Sequence, residues 1–153
     1  MKIGGLIEQT QLTLYTVTSL TDQPGAAAGV LKLFARQKIN LQYITEGTCQ
    51  NNYAVIAFCV DADDAQRVDD LLKSDVEGQS LNISKKEYVS IIGIYGPHFR
   101  EKPGIAATFC AILGQSGINI LGISSSISTI SCIIDIRETD KARDALLNKF
   151  ELP

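Results

Sequence analysis

Alternating and helically spaced apolar positions follow one another along the chain in a repeating order. Leu12-Thr13-Leu14-Tyr15-Thr16-Val17 alternates as a half-buried strand does. After Pro24-Gly25, the side chains of Ala27, Val30, Leu31 and Phe34 fall on one helical face, with Lys32 and Arg36 on the other. Proline tolerates the first helical turn, where its missing N–H is no loss, so the helix is expected to open at Pro24-Gly25. Residues 39–45 read as a strand, Cys49-Gln50-Asn51-Asn52 as a hairpin tip and residues 53–60 as a second strand. Ala65, Val68, Leu71 and Leu72 mark a further amphipathic helix, and residues 81–84 a short closing strand. The predicted order is βαββαβ.

The order then recurs. Residues 88–95 read as a strand, Ile105, Phe109, Ile112 and Leu113 as the core face of a helix, and residues 118–123 and 130–136 as strands. Ala142, Ala145 and Leu146 repeat the last helix. Pro24 and Pro103 stand 79 positions apart, as do Asn40 and Asn119, so one structural unit is used twice. The last helices are offset by only 74, which places a five-residue difference in the hairpin, where repeats differ most easily. The second unit ends without a fourth strand, whereas a surplus strand, residues 2–7, precedes the first and is ended by the polar Glu8-Gln9-Thr10. Pairing that strand with the second unit's sheet leaves no vacant edge. The expected domains are therefore residues 11–86, inserted into a second unit made of 1–10 and 87–153. Fold class is α+β: two ferredoxin-like βαββαβ units, antiparallel sheets with helices on one face. Such a fold hosts many functions and names none.

Composition narrows the choice. With 153 residues, 45% hydrophobic and 20% charged, at net charge −3, the chain has ordinary globular character and no general attraction to nucleic acid or anionic membrane. Residues 103–134 lack any charge, but Gly114-Gln115-Ser116-Gly117 and Ser124-Ser125-Ser126 interrupt them, so no membrane span is expected. This stretch should be a helix and two strands that bury most of their surface. Cys49, Cys59, Cys110 and Cys132 lack C-x-x-C spacing, and with no signal peptide they read as buried free thiols of a cytoplasmic protein. His98 is the single histidine, which excludes multi-histidine metal sites, and no phosphate-binding glycine loop or nucleophile elbow is present. No cofactor, metal or catalysis is expected.

What remains is a binding constellation at the turn into each first helix. Helix N-termini attract carboxylates, and Asp22 or Glu101 beside them could receive an ammonium group. A zwitterionic amino acid carries both charges on one carbon. Asn40 and Asn119, read as the starts of the neighbouring strands, could hold its main chain. Each feature has a structural reading too: the acids as helix-terminus charges, the asparagines as turn residues at a helix-to-strand join.

Pro24-Gly25, Ile39-Asn40-Leu41, Pro103-Gly104, Ile118-Asn119-Ile120 and Ile123-Ser124-Ser125-Ser126, in that order and register, resemble tandem ACT domains, specifically the regulatory region of aspartokinases. Ile3-Gly4-Gly5-Leu6 and Lys149-Phe150-Glu151-Leu152 resemble its flanks. The resemblance implies a stand-alone regulatory protein without a kinase domain, binding a free amino acid at interfaces between ACT units and signalling to a partner enzyme of amino-acid biosynthesis. Lysine, threonine or another member of the aspartate family is the implied ligand, and a homodimer the implied assembly. Asp22, Gly25, Ala26, Ala27 and Glu46 match ligand-contacting places, with Asn119 and Ile120 on the partner strand. Glu101, Gly104 and Ile105 form the symmetric candidate, beside Asn40. Ile127 stands where many aspartokinases carry glutamate, which implies an empty or less polar second site, and Gly96-Pro97-His98-Phe99-Arg100 departs from the usual sequence. Two alternatives stay open: a subunit that assembles with a kinase without binding ligand, and unknown chemistry at His98 and Arg100.

Overall fold

Each first helix is set between two local devices that explain the repeated residues. In this computed structural model, which describes residues 1–73, 81–97 and 99–153, the regular elements run β1 (Gly5–Thr21), α1 (Ala26–Arg36), β2 (Tyr43–Thr48), β3 (Tyr53–Asp61), α2 (Ala65–Lys73), β4 (Ile83–Tyr95), α3 (Ile105–Gln115), β5 (Gly122–Ser125), β6 (Thr129–Asp135) and α4 (Thr139–Leu147). Ahead of α1, the Ala26 N–H donates to the Gln23 carbonyl at 3.1 Å, with Gly25 at φ 85°, ψ 0°. That is a type II turn, with proline at its second position and a left-handed third position that suits glycine. Gly104 ahead of α3 adopts the same conformation, φ 91°, ψ 0°. Pro24 therefore lies outside the helix and not in its first turn: the sequence needs the proline for the turn that aims the helix.

The Ile-Asn pairs close the same helices. Lys38 N–H donates to the Ala35 carbonyl and Ile39 N–H to that of Phe34, with Lys38 left-handed at φ 57°. Gly117 and Ile118 donate likewise to Gly114 and Leu113, with Gly117 at φ 74°. Both are Schellman stops, in which the residue beyond the left-handed position packs back on the last turn. Ile39 with Phe34, and Ile118 with Leu113, are accordingly buried in the same clusters. Strands β2 and β5 begin only at Tyr43 and Gly122. Asn40 and Asn119 thus stand three positions before them, exposed in the connection and not at the strand starts.

Residues 12–87 form one compact unit, and residues 1–11 with 88–153 the other. In the first, the strand order is β2-β3-β1-β4, with β1 and β2 antiparallel to β3. Tyr15, Val17, Ile56, Phe58 and Val60 meet Val30 and Phe34 of α1 and Val68 and Leu72 of α2 in a single core. In the second, the order is β1-β4-β6-β5, and Ile92, Ile94, Cys132 and Ile134 meet Phe109, Leu113, Ala142 and Leu146. Both helices of each unit pack on one sheet face.

The N-terminal strand begins at Gly5 rather than Lys2. Lys2 instead makes a parallel bridge to Glu151. It also does not stop at Glu8-Gln9-Thr10: these residues are exposed yet extended, and β1 continues through Gln11 (φ 60°) to Thr21. The strands expected at 81–84 and 88–95 likewise join as β4 through Tyr88 (φ 59°). One left-handed residue in each strand marks the passage from one unit to the other.

The cysteines are free, but only two are buried. Cys49 lies exposed at the β2–β3 tip and Cys110 is half-buried on α3. Burial pushes the thiols of Cys59 on β3 and Cys132 on β6 up to about 12, with Cys110 adding to the effect at Cys132.

Candidate functional site

The second Pro-Gly turn opens onto a cavity of about 240 Å³. Its floor is the turn and helix start, Lys102-Pro103-Gly104-Ile105-Ala106; Ser125 and Ser126 at the end of β5, Ile130 on β6 and Phe99 complete it. All of these residues belong to the unit of 1–11 and 88–153. The N-cap of α3 is Gly104, which has no side chain to cap it, and the first turn of the helix holds no acidic residue. The first N–H groups of a helix lack intrahelical partners and carry partial positive charge, so this floor favours an anion. Gly104 serves the site as well as the turn: nothing lies within 4 Å of where a Cβ would stand, so the backbone is open to approach. The cavity is lined by a lysine, two serines, a helix start and the apolar Phe99, Ile105 and Ile130, a residue set that suits a small carboxylate with an apolar or mixed side chain.

Of the residues singled out in the sequence, Gly104 and Ile105 line this cavity, while Asn119 and Ile120 do not. Asn119 is exposed, and Ile120 is half-buried against the core. Glu101 sits in a 3₁₀ turn, Phe99–Glu101, ahead of the helix. At the first turn, Asp22 and Gly25 are exposed, Ala26 is buried and Ala27 half-buried. The Asp22 N–H donates to the Asn52 carbonyl at 2.7 Å, which ties the turn to the β2–β3 tip. Glu46 is exposed on β2 opposite Ile56, and Asn40 is exposed in the helix-to-strand connection. Arg100 is exposed, Ile127 is 69% exposed, and His98 lies outside the described residues. Sequence reasoning took the turn from Glu101 to Ile105 as a candidate, and so included Lys102, but missed Phe99, Ala106 and Ile130 as lining residues.

A second cavity of about 240 Å³, in the unit of 12–87, is lined by Tyr15, Asp69, Leu72, Lys73, Ile83 and Lys85. Tyr15, Asp69 and Lys85 are occupied with one another. The Tyr15 hydroxyl lies 2.7 Å from Asp69 Oδ1 and 3.0 Å from the Ala65 carbonyl, and Lys85 Nζ lies 2.8 Å from Asp69 Oδ2. Burial, and then Asp69, push the Tyr15 phenol well above its ordinary range. Burial of Asp69 works against its charge, but hydrogen bonds from Lys85 and Tyr15 and the charges of Lys85 and Lys73 outweigh it and lower its pKa. This cluster holds α2 against the sheet.

Among the described residues, no group of three or more His, Cys, Asp or Glu side chains could hold a metal ion, and no helix is long and apolar enough to cross a membrane.

Residues 15–77 and residues 92–150 each match the ACT domain. With its two βαββ-based units, the chain belongs to the ACT-domain family as a tandem ACT protein. Within that family it is similar to aspartokinases. It is 34% identical over 142 residues to the aspartokinase of Mycolicibacterium smegmatis, a match covering 90% of this chain and 33% of the relative. The regulatory subunit of aspartate kinase from Thermus thermophilus has the same fold, with TM-score 0.87 and 24% identity over 99% of this chain and 100% of that one. The aspartate kinase of Synechocystis superposes with TM-score 0.87 and 28% identity, covering 95% of this chain and 26% of that one. The chain thus spans about a third of the length of the curated relatives it matches.

Proposed function

We propose that this chain is a non-catalytic regulatory protein of the aspartokinase kind, which binds a free amino acid and passes the binding event to a partner enzyme of amino-acid biosynthesis. The observation that carries the reading is the cavity at the start of α3. There the helix-start N–H groups and Lys102 receive the ligand's carboxylate, Ser125 and Ser126 receive its ammonium group, and Phe99 and Ile130 meet its side chain. The ligand class is lysine, threonine or another amino acid derived from aspartate, supported by the relatives' family. The reading takes residues 11–86 as an ACT unit inserted in a second one made of 1–10 and 87–153, supported by the division of contacts near those positions. Asp22, Gly25, Ala27 and Glu46 form the equivalent candidate of the first unit, closed when two copies of the chain pair. A kinase polypeptide is the proposed partner. In support, a solved structure of aspartokinase alpha and beta subunits contains a chain of this fold, with TM-score 0.84 over 95% of this chain and 97% of that one.

Thermal unfolding of the purified protein against single amino acids tests the reading. A ligand at 100 times its dissociation constant contributes about 2.7 kcal/mol, a rise of roughly 5–10 °C for a chain of this size. Ala106→Glu places a carboxylate in the cavity while suiting a helix N-terminus, so it should remove the rise and leave the unliganded midpoint intact. Asp22→Ala reports on the first turn in the same way. No shift with any amino acid at millimolar concentration would refute the sensor and leave assembly with a kinase as the function.

A further inference from the structure

The two units carry different charges at matched places beside the turn that opens their first helix. Strands β2 and β5 start at Tyr43 and Gly122, 79 positions apart, the same offset as the two prolines. Strand pairing agrees with that offset. Glu46 faces Ile56 of β3, and Ser125 faces Ile130 of β6, so Glu46 and Ser125 are equivalent. By the same offset Lys102 takes the place of Gln23. From the first unit to the second, one position thus loses a negative charge and another gains a positive one. Ser125 and Lys102 both line the cavity at the start of α3, with Phe99, Ile105 and Ile130 as apolar walls. Among the described residues that line it, Lys102 is the only charged one.

We propose that Ser125 sets the side-chain charge accepted at this cavity, which takes amino acids with an uncharged side chain and refuses those with a second ammonium group, lysine among them. The inference rests on the reading of the cavity as an amino-acid site. Every amino acid brings the same carboxylate and α-ammonium group, so choice between them falls to the surroundings of the side chain. An uncharged side chain meets Phe99, Ile105 and Ile130 and gains by leaving water. A side-chain ammonium in the same space would leave water to face Lys102 and the positive end of α3, with no lining carboxylate to compensate. The Ser125 hydroxyl can accept a hydrogen bond but carries no charge. A glutamate there, as Glu46 stands at the matched place, would supply the missing one.

Titration of the full chain with norleucine and with lysine, which differ by the terminal ammonium group, tests the charge. The methyl NMR signals of Ile105 and Ile130 are the readout, because both residues line the cavity and separate binding there from binding at the first turn. In the wild type, norleucine should bind about tenfold more tightly than lysine. Ser125 is exposed at the end of β5, so substitutions there leave the core untouched. Ser125→Glu should narrow the gap by about fivefold, while Ser125→Gln, of the same size but uncharged, should keep it. Equal affinities in the wild type, or a gap that glutamine narrows as much as glutamate, would overturn the charge selection and leave the site in place. A cavity that takes threonine but neither norleucine nor lysine selects by size, which would overturn it too. Methyl signals that move with none of the three, in any of the three proteins, would refute the amino-acid site and the selection with it.

Discussion

Helices α1 and α3 are opened by the same turn, closed by the same stop and seated at the same positions, yet their outward faces differ in charge. Ala26, Val30 and Phe34 of α1 correspond to Ile105, Phe109 and Leu113 of α3, and none of the six is more than 5% exposed. Outward, α1 presents Lys32 and Arg36 beside Ala28 and Ala35, whereas α3 presents the uncharged Ala106, Ala107, Ala111, Gly114 and Gln115. The inward face is dictated by the sheet beneath, which is the same in both units. The outward face is free of that demand and records what else each helix must meet. In α3 a small, uncharged face runs from a helix start that also lines a cavity.

Substitutions at matched positions can break or sharpen this comparison. Phe109→Ala should cost about 3–5 kcal/mol in urea unfolding, whereas Val30→Ala at the same place in α1 should cost about 2, because it deletes fewer buried carbons. Equal losses would mean that the inward faces are not equivalent. Gly25→Ala and Gly104→Ala should each cost about 1–2 kcal/mol and by similar amounts, since both sites are sterically open and only the backbone conformation is penalised. Asp69→Asn should cost about 1 kcal/mol at pH 7. Its carboxyl is held below its ordinary value, so its stabilisation is present above the unfolded pKa and lost as pH falls through the folded one. The urea midpoints of wild type and variant should therefore converge at low pH. A gap that persists in acid would assign the effect to packing. At the helix stops, Gly117→Ala should likewise cost about 1 kcal/mol, and, smallest, Lys38→Gly at the equivalent position should add about 0.5 kcal/mol.

Much of this was legible because the repeated residues are local signals. Pro-Gly and Ile-Asn recur at one spacing because the turn and stop of one helix must recur together, and this located α1 and α3 without knowledge of the sheet. The pairs also misled: Ile39 and Ile118 are buried as helix stops, so assigning them to strands drew Asn40 and Asn119 forward as ligand groups. Continuity of β1 and β4 was hidden for a different reason. Glu8-Gln9-Thr10 read as a polar end and residues 85–87 fell between two expected strands, but an exposed strand is polar too, and only the backbone shows the chain passing straight on. In the cavity, Gly104 and Ile105 were found through the turn. Ser125, Ser126 and Ile130 arrive by the fold of a hairpin, which spacing along the chain does not reveal.

The two buried thiols give each unit its own chemical clock. Burial removes both thiols from reagent and holds their pKa well above the ordinary range, so neither Cys59 nor Cys132 reacts appreciably from the folded state. Cys49, exposed at a hairpin tip, meets an alkylating reagent at once. Cys59 and Cys132 wait for β3 or β6 to leave its sheet. The order in which their masses change during labelling is therefore the order in which the two ACT units open, read from the unmodified protein.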